Sequence, residues 1–194
     1  MNVRRVPLAL LGTLAACGSG GAEPGGSAGS SAAGAGGAAG TGGMAALEIE
    51  AVSWQPATVA EDPFVEFAEG RLRCSPFAFR LEANWLEVTT TDCNYATLVY
   101  RFPRDVVPGD VISGEIAWAT LASLEPAIGT LAFATLREGV VWSHDVDIPG
   151  AADITEVAFT LGQPAPAGSA LYFHVRNHGY NAWQLSPLTL TDPG

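Results

Sequence analysis

In the carboxyl-terminal three quarters of the chain, short runs alternate between apolar and polar residues, and this pattern limits the fold more than any other feature of the sequence. Ile112, Ile116 and Trp118 fall on one side of an extended run, and the runs 154–161 and 171–176 alternate in the same way. Successive side chains of a strand point to opposite faces of a sheet. The pattern therefore predicts half-buried β-strands.

Further runs have the same strand character, and turn signals such as Pro108-Gly109-Asp110 and Pro149-Gly150 separate them. No long window keeps a helical period without interruption by Gly, Pro or β-branched residues. Because each antiparallel sheet must bury one face, we expect an all-β domain over 47–194, an antiparallel β-sandwich. The further strand candidates are 49–54, 64–68, 77–82, 85–90, 95–102, 128–136, 140–148 and 183–190.

The amino terminus has the organisation of an export signal. Arg4 and Arg5 precede the apolar run 6–16, which is too short to cross a bilayer core of about 30 Å. Residues 1–16 are therefore predicted to be a signal peptide and not a membrane helix. The two arginines also leave twin-arginine export open, although any signal peptide carries positive charge at this position.

Leu14-Ala15-Ala16-Cys17 resembles the lipobox of bacterial lipoproteins. The resemblance implies that Cys17 carries lipid, including a palmitate-type acyl chain, and begins the mature protein. Two or more acyl chains give stable anchoring to a bilayer. Gly18 stands where lipoproteins retained at the inner membrane resemble one another in having Asp, so we expect the outer membrane of a bacterial cell envelope. The alternative is an ordinary secretory signal with an incidental cysteine.

Residues 17–46 follow as a linker of mostly Gly, Ala and Ser. Such a composition buries too little apolar surface to offset the entropy of ordering, which predicts a disordered tether. A Gly-rich coil of this length spans roughly 30 Å end to end. The tether would hold a folded domain away from lipid headgroups, although a low-complexity spacer without a role has the same composition.

The charge of the chain excludes one class of partner. Nine Lys and Arg stand against 20 Asp and Glu, for a net charge of −11. An acidic surface repels phosphate backbones, so we expect no nucleic-acid binding.

Two cysteines remain after Cys17, namely Cys74 and Cys93. In an exported protein such a pair predicts a disulfide, which would close a loop of about 20 residues and stabilise the fold by about 3 kcal/mol. The loop contains two predicted strands, so the bond would fasten a hairpin to its neighbours. A metal site is the weaker alternative, because the spacing lacks a CxxC pair.

The run 174–183 is the densest polar cluster. His174 and His178 are interpreted as surface imidazoles in preference to zinc ligands, because no motif supplies a third ligand. Asn177 and Asn181 flank a glycine and suit a hairpin turn. No cofactor is expected; a structural calcium is possible in the fold class, but no acidic calcium loop supports it.

Catalysis finds little support in the sequence. There is no GxSxG motif, and both cysteines of the domain are assigned to a disulfide. Asp145 and Asp147 alternate with apolar residues and are interpreted as a solvated strand face, whereas His144 is interpreted as lying at the edge of the core. We expect no enzyme, and a hydrolase is the least favoured function.

Aromatic residues on the polar side of strands suggest a binding surface. Trp85, Tyr95 and Tyr172 are out of phase with their apolar neighbours, and Tyr172 shares its side with His174 and Arg176. A ring exposed beside hydrogen-bonding groups suits a sugar, which has apolar C–H faces and polar hydroxyls. The alternative is that both faces of these strands are covered and the rings are core. The candidate ligand-binding residues are Trp85, Tyr95, Tyr172, His174, Arg176, Asn177, His178, Tyr180 and Asn181.

The run 167–177, its Gly-containing turn, and a closing strand with Trp183 and Leu188 resemble the last hairpin of galactose-binding-like jelly rolls. That fold includes many carbohydrate-binding modules, which bind sugars on a sheet face or at loop tips. The resemblance implies a jelly-roll sandwich and a glycan ligand.

Together these features predict a lipid-anchored, non-catalytic β-sandwich that displays a binding module for carbohydrate. Its expected partners are the bilayer, through acylated Cys17, and a glycan. A structural or protein-interaction lipoprotein that binds an envelope protein is the alternative.

Overall fold

The structure is a computed structural model, and it describes residues 46–68, 72–177 and 179–192. The signal peptide, Cys17 and the linker up to residue 45 lie outside these ranges. Within them, no helix is both long and apolar enough to cross a bilayer. The described residues include three short 3-10 helices, at Ala51–Ser53, Val65–Ala68 and Pro76–Ala78. The strands are β1 (Leu47–Ile49), β2 (Gln55–Pro56), β3 (Phe79–Glu82), β4 (Trp85–Thr89), β5 (Tyr95–Arg101), β6 (Val111–Trp118), β7 (Ala127–Thr135), β8 (Gly139–Ile148), β9 (Asp153–Thr160), β10 (Ala170–Arg176), β11 (Ala182–Leu185) and β12 (Leu188–Thr191).

The strands form two antiparallel sheets. One sheet has seven strands in the order β1-β12-β6-β11-β4-β3, with β9 also paired to β6. The other has five strands in the order β2-β5-β10-β7-β8. The predicted antiparallel β-sandwich is confirmed.

The core lies between the two sheets. Ile112 and Ile116 of β6 are completely buried, as the alternation predicts. Trp183 of β11 is also fully buried, and its ring centroid lies 5.7 Å from that of Trp118. The five-stranded sheet contributes residues such as Phe133 to the same cluster. Because each strand gives alternate side chains to this cluster, the period-2 pattern is the physical cause of the two layers.

The segment before β3 differs from expectation. The predicted strand 49–54 is interrupted: β1 pairs with the seven-stranded sheet, and β2 pairs with the five-stranded sheet. The chain crosses from one layer to the other between them, and Ala51–Ser53 forms a turn of 3-10 helix at the crossing. The predicted strand 64–68 is wrong, since Val65–Ala68 is a 3-10 helix. This segment lies outside the sheet ladders.

The Cys74–Cys93 disulfide is present and joins cysteines 19 residues apart. Its loop contains β3 and β4, which pair as a hairpin. Cys74 also donates its backbone N–H to the carbonyl of Tyr95 at 2.8 Å. The bond therefore fastens the segment before the hairpin to the five-stranded sheet at the start of β5.

Candidate functional site

The five-stranded sheet has an outer face, defined as the side turned away from the core. On β10, Tyr172, His174 and Arg176 lie on this face, because Leu171 and Phe173 alternate with them and belong to the core. In the register, Tyr172 pairs with Ala134, His174 with Ala132, and Arg176 with Thr130 of β7. Small side chains on β7 therefore lie beside large polar ones on β10.

A non-strand segment, residues 57–66, crosses part of this face and is called the strap here. Its Ala57 and Phe64 form a buried cluster with residues of the outer face that include Val99 and Tyr172. The Phe64 ring is stacked on the imidazole of His174, with centroids 4.2 Å apart and planes 16° apart. The strap therefore covers β5 and the adjoining side of β10.

Charged and polar contacts hold the strap in place. Asp62, whose side chain is fully buried, accepts the backbone N–H of Phe64 at 2.9 Å through Oδ1. Its Oδ2 lies 3.6 Å from Nη2 of Arg73, which also donates to the carbonyl of Ala57. Arg73 directly precedes Cys74, so the disulfide positions the arginine that fastens the strap.

The part of the outer face beneath the strap, called the covered half here, contains Tyr95 and Tyr172, two of the aromatic residues predicted to form a binding surface. Tyr95 is 2% exposed and Tyr172 is 1% exposed, so the expectation that they present their rings to solvent is wrong. The physical reason is the strap, which makes this the case in which both faces of a strand are covered. Burial raises the pKa of both tyrosines. Thr97 and His174 are buried as well, with Thr97 Oγ1 and His174 Nδ1 hydrogen-bonded at 2.9 Å. The interpretation of His174 as a surface imidazole is therefore wrong.

The other half of the outer face is open and forms a groove with a cavity volume of about 270 Å³. Its lining comes from the strap, β7, β8 and β10. The lining residues are Phe64, Thr130, Ala132, Val140, Ser143, Asp145, His174 and Arg176.

A chain of hydrogen bonds crosses the groove over three strands. Nη2 of Arg176 donates to Thr130 Oγ1 at 3.0 Å, and Thr130 Oγ1 donates to Asp145 Oδ1 at 2.8 Å. Among the described residues, Nε of Arg176 is buried without a hydrogen-bond partner. These two hydrogen bonds fix the orientation of the Arg176 guanidinium, the Thr130 hydroxyl and the Asp145 carboxylate on one wall of the groove. It therefore offers both donors and acceptors to a ligand.

Asn177 and Asn181 do not line the groove. Asn177 Nδ2 donates to Thr90 Oγ1 at 2.7 Å, and Asn181 Nδ2 donates to Asn177 Oδ1 at 2.9 Å. Asn181 Oδ1 also accepts the backbone N–H of Ala122 at 2.8 Å. Both asparagines are buried. Both asparagines lie in the connection from β10 to β11, and because these strands belong to different sheets, the interpretation of the asparagines as residues of a hairpin turn is wrong. Their placement as ligand contacts is corrected as well, because their polar groups are used inside the protein.

The remaining candidates do not share one surface. Trp85 lies on β4 of the other sheet, opposite Glu82, and is half-buried. Tyr180 is exposed in the turn before β11. His178 lies outside the described residues. Of the predicted set, the structure brings His174 and Arg176 together in the groove.

Six groove residues were missed as ligand candidates, namely Phe64, Thr130, Ala132, Val140, Ser143 and Asp145. Asp145 was correctly placed on a solvated face, and His144 lies half-buried at the edge of the core, 6.0 Å from the Trp118 ring. The available signal was the outward stripe of small residues at Ala132 and Ala134, which leaves space between larger neighbours. To locate the groove from this signal, the register between β7 and β8 had to be known.

A metal site is not found in the part of the chain that the structure describes, where no three His, Cys, Asp or Glu side chains gather into a possible ligand set.

No protein-family model and no curated protein matches the chain. Among solved structures, it is similar to an arabinose-bound MgGH51 α-L-arabinofuranosidase at 13% identity and a TM-score of 0.41, over 72% of this chain and 23% of that one. The chain thus spans about a quarter of that enzyme. It is also similar to the C-terminal CBM6 of LamC from Zobellia galactanivorans, at 15% identity, a TM-score of 0.40, and 76% and 99% coverage. A low-affinity xylan-binding module, CBM86 from Roseburia intestinalis, matches at 8% identity, a TM-score of 0.43, and 75% and 93% coverage. A structural similarity with so low a sequence identity and TM-score says nothing about function.

Proposed function

We propose that the chain is a lipid-anchored, non-catalytic module of a bacterial cell envelope that binds a carbohydrate in the groove. The observation that carries this proposal is the combination of an apolar floor with an oriented polar wall in one cavity. Phe64, Ala132 and Val140 supply apolar surface, and Thr130 and Arg176 belong to the hydrogen-bonded wall. A sugar has both kinds of surface.

The charges of the groove favour a neutral ligand. Arg176 and Asp145 are joined through Thr130, so a cation and an anion lie on the same wall. An arginine offers only donors and an ionised aspartate only acceptors, whereas a sugar hydroxyl both donates and accepts. A cavity of about 270 Å³ is close to the lower limit of ordinary ligand pockets. The groove therefore encloses only a small part of the ligand, about the size of a single sugar unit.

The same lining argues for binding without hydrolysis. Cleavage of a glycosidic bond ordinarily uses two carboxyl groups on either side of the bond. Asp145 is the one carboxylate among the residues that line the groove. The proposal therefore assigns Asp145 to hydroxyl recognition.

The anchor in this proposal is the acylated Cys17, and the linker to residue 46 is the tether. The support is the lipobox resemblance together with the Gly, Ala and Ser composition. Replacement Cys17→Ser should move the protein from the membrane fraction to the soluble fraction and abolish metabolic labelling with an alkyne fatty acid. Unchanged labelling or fractionation would contradict the anchor and leave the groove unaffected.

The binding proposal is tested on a glycan panel with the detergent-solubilised full chain, followed by titration calorimetry of each hit. Thr130→Ala and Asp145→Ala should each weaken binding about tenfold, as expected for loss of a hydrogen bond worth about 1.4 kcal/mol. The matched control is Glu156→Ala, an exposed residue on β9 of the other sheet. Binding to no glycan, or recovery of one stoichiometric envelope protein regardless of sugars, would overturn carbohydrate binding in favour of protein interaction.

A further inference from the structure

The groove is closed at one end. Phe64 occupies the outer face next to Ala134 and Tyr172, and all three belong to one buried cluster. Phe64 is itself 3% exposed, so the strap leaves no passage over the sheet in this direction. A ligand that enters the groove meets the Phe64 ring as a wall.

The side of the groove toward β5 is closed as well. Thr97 is 1% exposed and Tyr95 is 2% exposed, although both lie on the outer face. Arg73 contributes to this cover, since its guanidinium carbon lies 5.8 Å from the centre of the Tyr95 ring. A long ligand therefore cannot cross the sheet toward β5.

The opposite end is open and leads to a second cavity. Arg176 lines the groove and also lines a cavity of about 500 Å³. Ile128 borders this second cavity and lies two residues before Thr130, on the same side of β7. Ile128 is 42% exposed, and Leu124 of the preceding loop is fully exposed. The two cavities thus follow one another along β7 and share one arginine.

We propose that this site binds the end of an unbranched glycan. The terminal sugar lies in the groove against Phe64, and the next sugar lies beyond Arg176 over Ile128. This inference rests on the proposed function, because it concerns the same groove. Phe64 is the residue that excludes internal segments, since a chain continuing past the terminal sugar would collide with its ring.

The decisive experiment measures binding of unbranched gluco-, xylo- and arabino-oligosaccharides of increasing length, from the monosaccharide to the hexasaccharide, to the full chain. For the series that binds, affinity should rise about fivefold from the monosaccharide to the disaccharide, as expected when a second unit covers a half-exposed isoleucine. It should then stay constant. The corresponding polysaccharide should bind in proportion to its molar concentration of chain ends and not to its mass.

The second position is tested by Ile128→Ser. This substitution should remove most of the gain from the monosaccharide to the disaccharide and leave monosaccharide binding unchanged. Ile154→Ser is the matched control, because Ile154 is 52% exposed on the outer side of the other sheet. An equal effect of both substitutions, or none from Ile128→Ser, would overturn the second position.

The closed end is tested without relying on a variant. Oligosaccharides capped by a bulky group at either terminus should show that one terminus must be free, and Phe64→Ala should relax that requirement where the variant folds. Equal binding of both capped forms and of internal segments would overturn end recognition while leaving carbohydrate binding intact. Failure of every uncapped oligosaccharide to bind would instead overturn the proposed function.

Discussion

The two halves of the outer face of the five-stranded sheet have the same strand pattern but different surroundings. In the covered half, Tyr95, Thr97 and Tyr172 lie beneath the strap and are buried. In the open half, Thr130 and Asp145 lie in a groove that reaches solvent. The two halves are neighbours in one ladder, because β10 pairs with β5 on one side and with β7 on the other.

Strand alternation therefore decides which face of the sheet a side chain occupies, but not whether that face is buried or exposed to solvent. The strap, which covers one half of this face, is a segment of the chain that belongs to neither sheet ladder. Contacts of Asp62 and Phe64 hold it there. Substitutions in the covered half should therefore lower stability, whereas those in the open half should lower ligand affinity.

The largest effect is expected for Phe64→Ala. The substitution leaves a cavity over His174 and Tyr172 and should lower the free energy of unfolding by about 3 kcal/mol. Phe77→Ala is the matched control, because Phe77 is 97% exposed and its loss should change stability by less than about 0.5 kcal/mol. Urea unfolding measures both. Equal effects would mean that the strap does not cover the face.

The next effect is expected for Asp62→Ala. The substitution leaves the Phe64 N–H without its acceptor and Arg73 without its carboxylate, and it should lower the free energy of unfolding by about 2 kcal/mol. Asp145→Ala, in the open half, should change it by less than about 0.5 kcal/mol. Equal losses of stability from the two aspartate substitutions in the same denaturation experiment would contradict the difference between the two halves.

Thr97 in the covered half and Thr130 in the open half form a matched pair for the next prediction. Thr97→Ala breaks a buried hydrogen bond to His174 and should destabilise the protein by about 1 kcal/mol. Thr130→Ala breaks contacts at the solvent-facing wall and should destabilise it by about 0.5 kcal/mol or less. Thermal unfolding followed by tryptophan fluorescence ranks the two, and the reverse order would contradict the assignment of the halves.

The smallest effect is expected at alkaline pH. Burial raises the pKa of Tyr172 above its usual value of about 10, so the folded state retains the phenolic proton longer than the unfolded state. Its contribution to stability is complete below pH 10 and is lost as the pH rises through the folded pKa. Tyr172→Phe should therefore flatten the fall of stability above pH 10. An unchanged slope in pH-dependent denaturation would contradict burial of this ring.

Much of the fold could be predicted from local pattern. The strands around Ile116 and Phe173 and the burial of Trp183 follow from alternation, because a sheet with one buried face requires it. The Cys74–Cys93 disulfide follows from the pairing of two cysteines in an exported chain. The strap could not be predicted, since residues 64–68 have strand-like composition and the cover of the five-stranded sheet by Phe64 depends on Asp62 and Arg73 meeting in space.

The candidate site was predicted in part. His174 and Arg176 were identified from their position on the polar side of a strand, and both line the groove. Thr130 and Asp145 were not linked to them, because the hydrogen bonds join β10 to the hairpin of β7 and β8, and Arg176 and Thr130 are 46 residues apart in sequence. Tyr95 and Tyr172 were placed on the correct face but in the wrong environment.

The all-β sandwich, the core residues between its sheets and its disulfide follow from the amino-acid sequence alone, because period-2 patterning and cysteine pairing act through each residue's own chemistry and near neighbours. The tertiary structure alone decided which part of the outer face is open. Cover by the strap and the pairing of β10 with β7 join segments that are far apart in the chain, and their energies depend on contacts that no local pattern encodes.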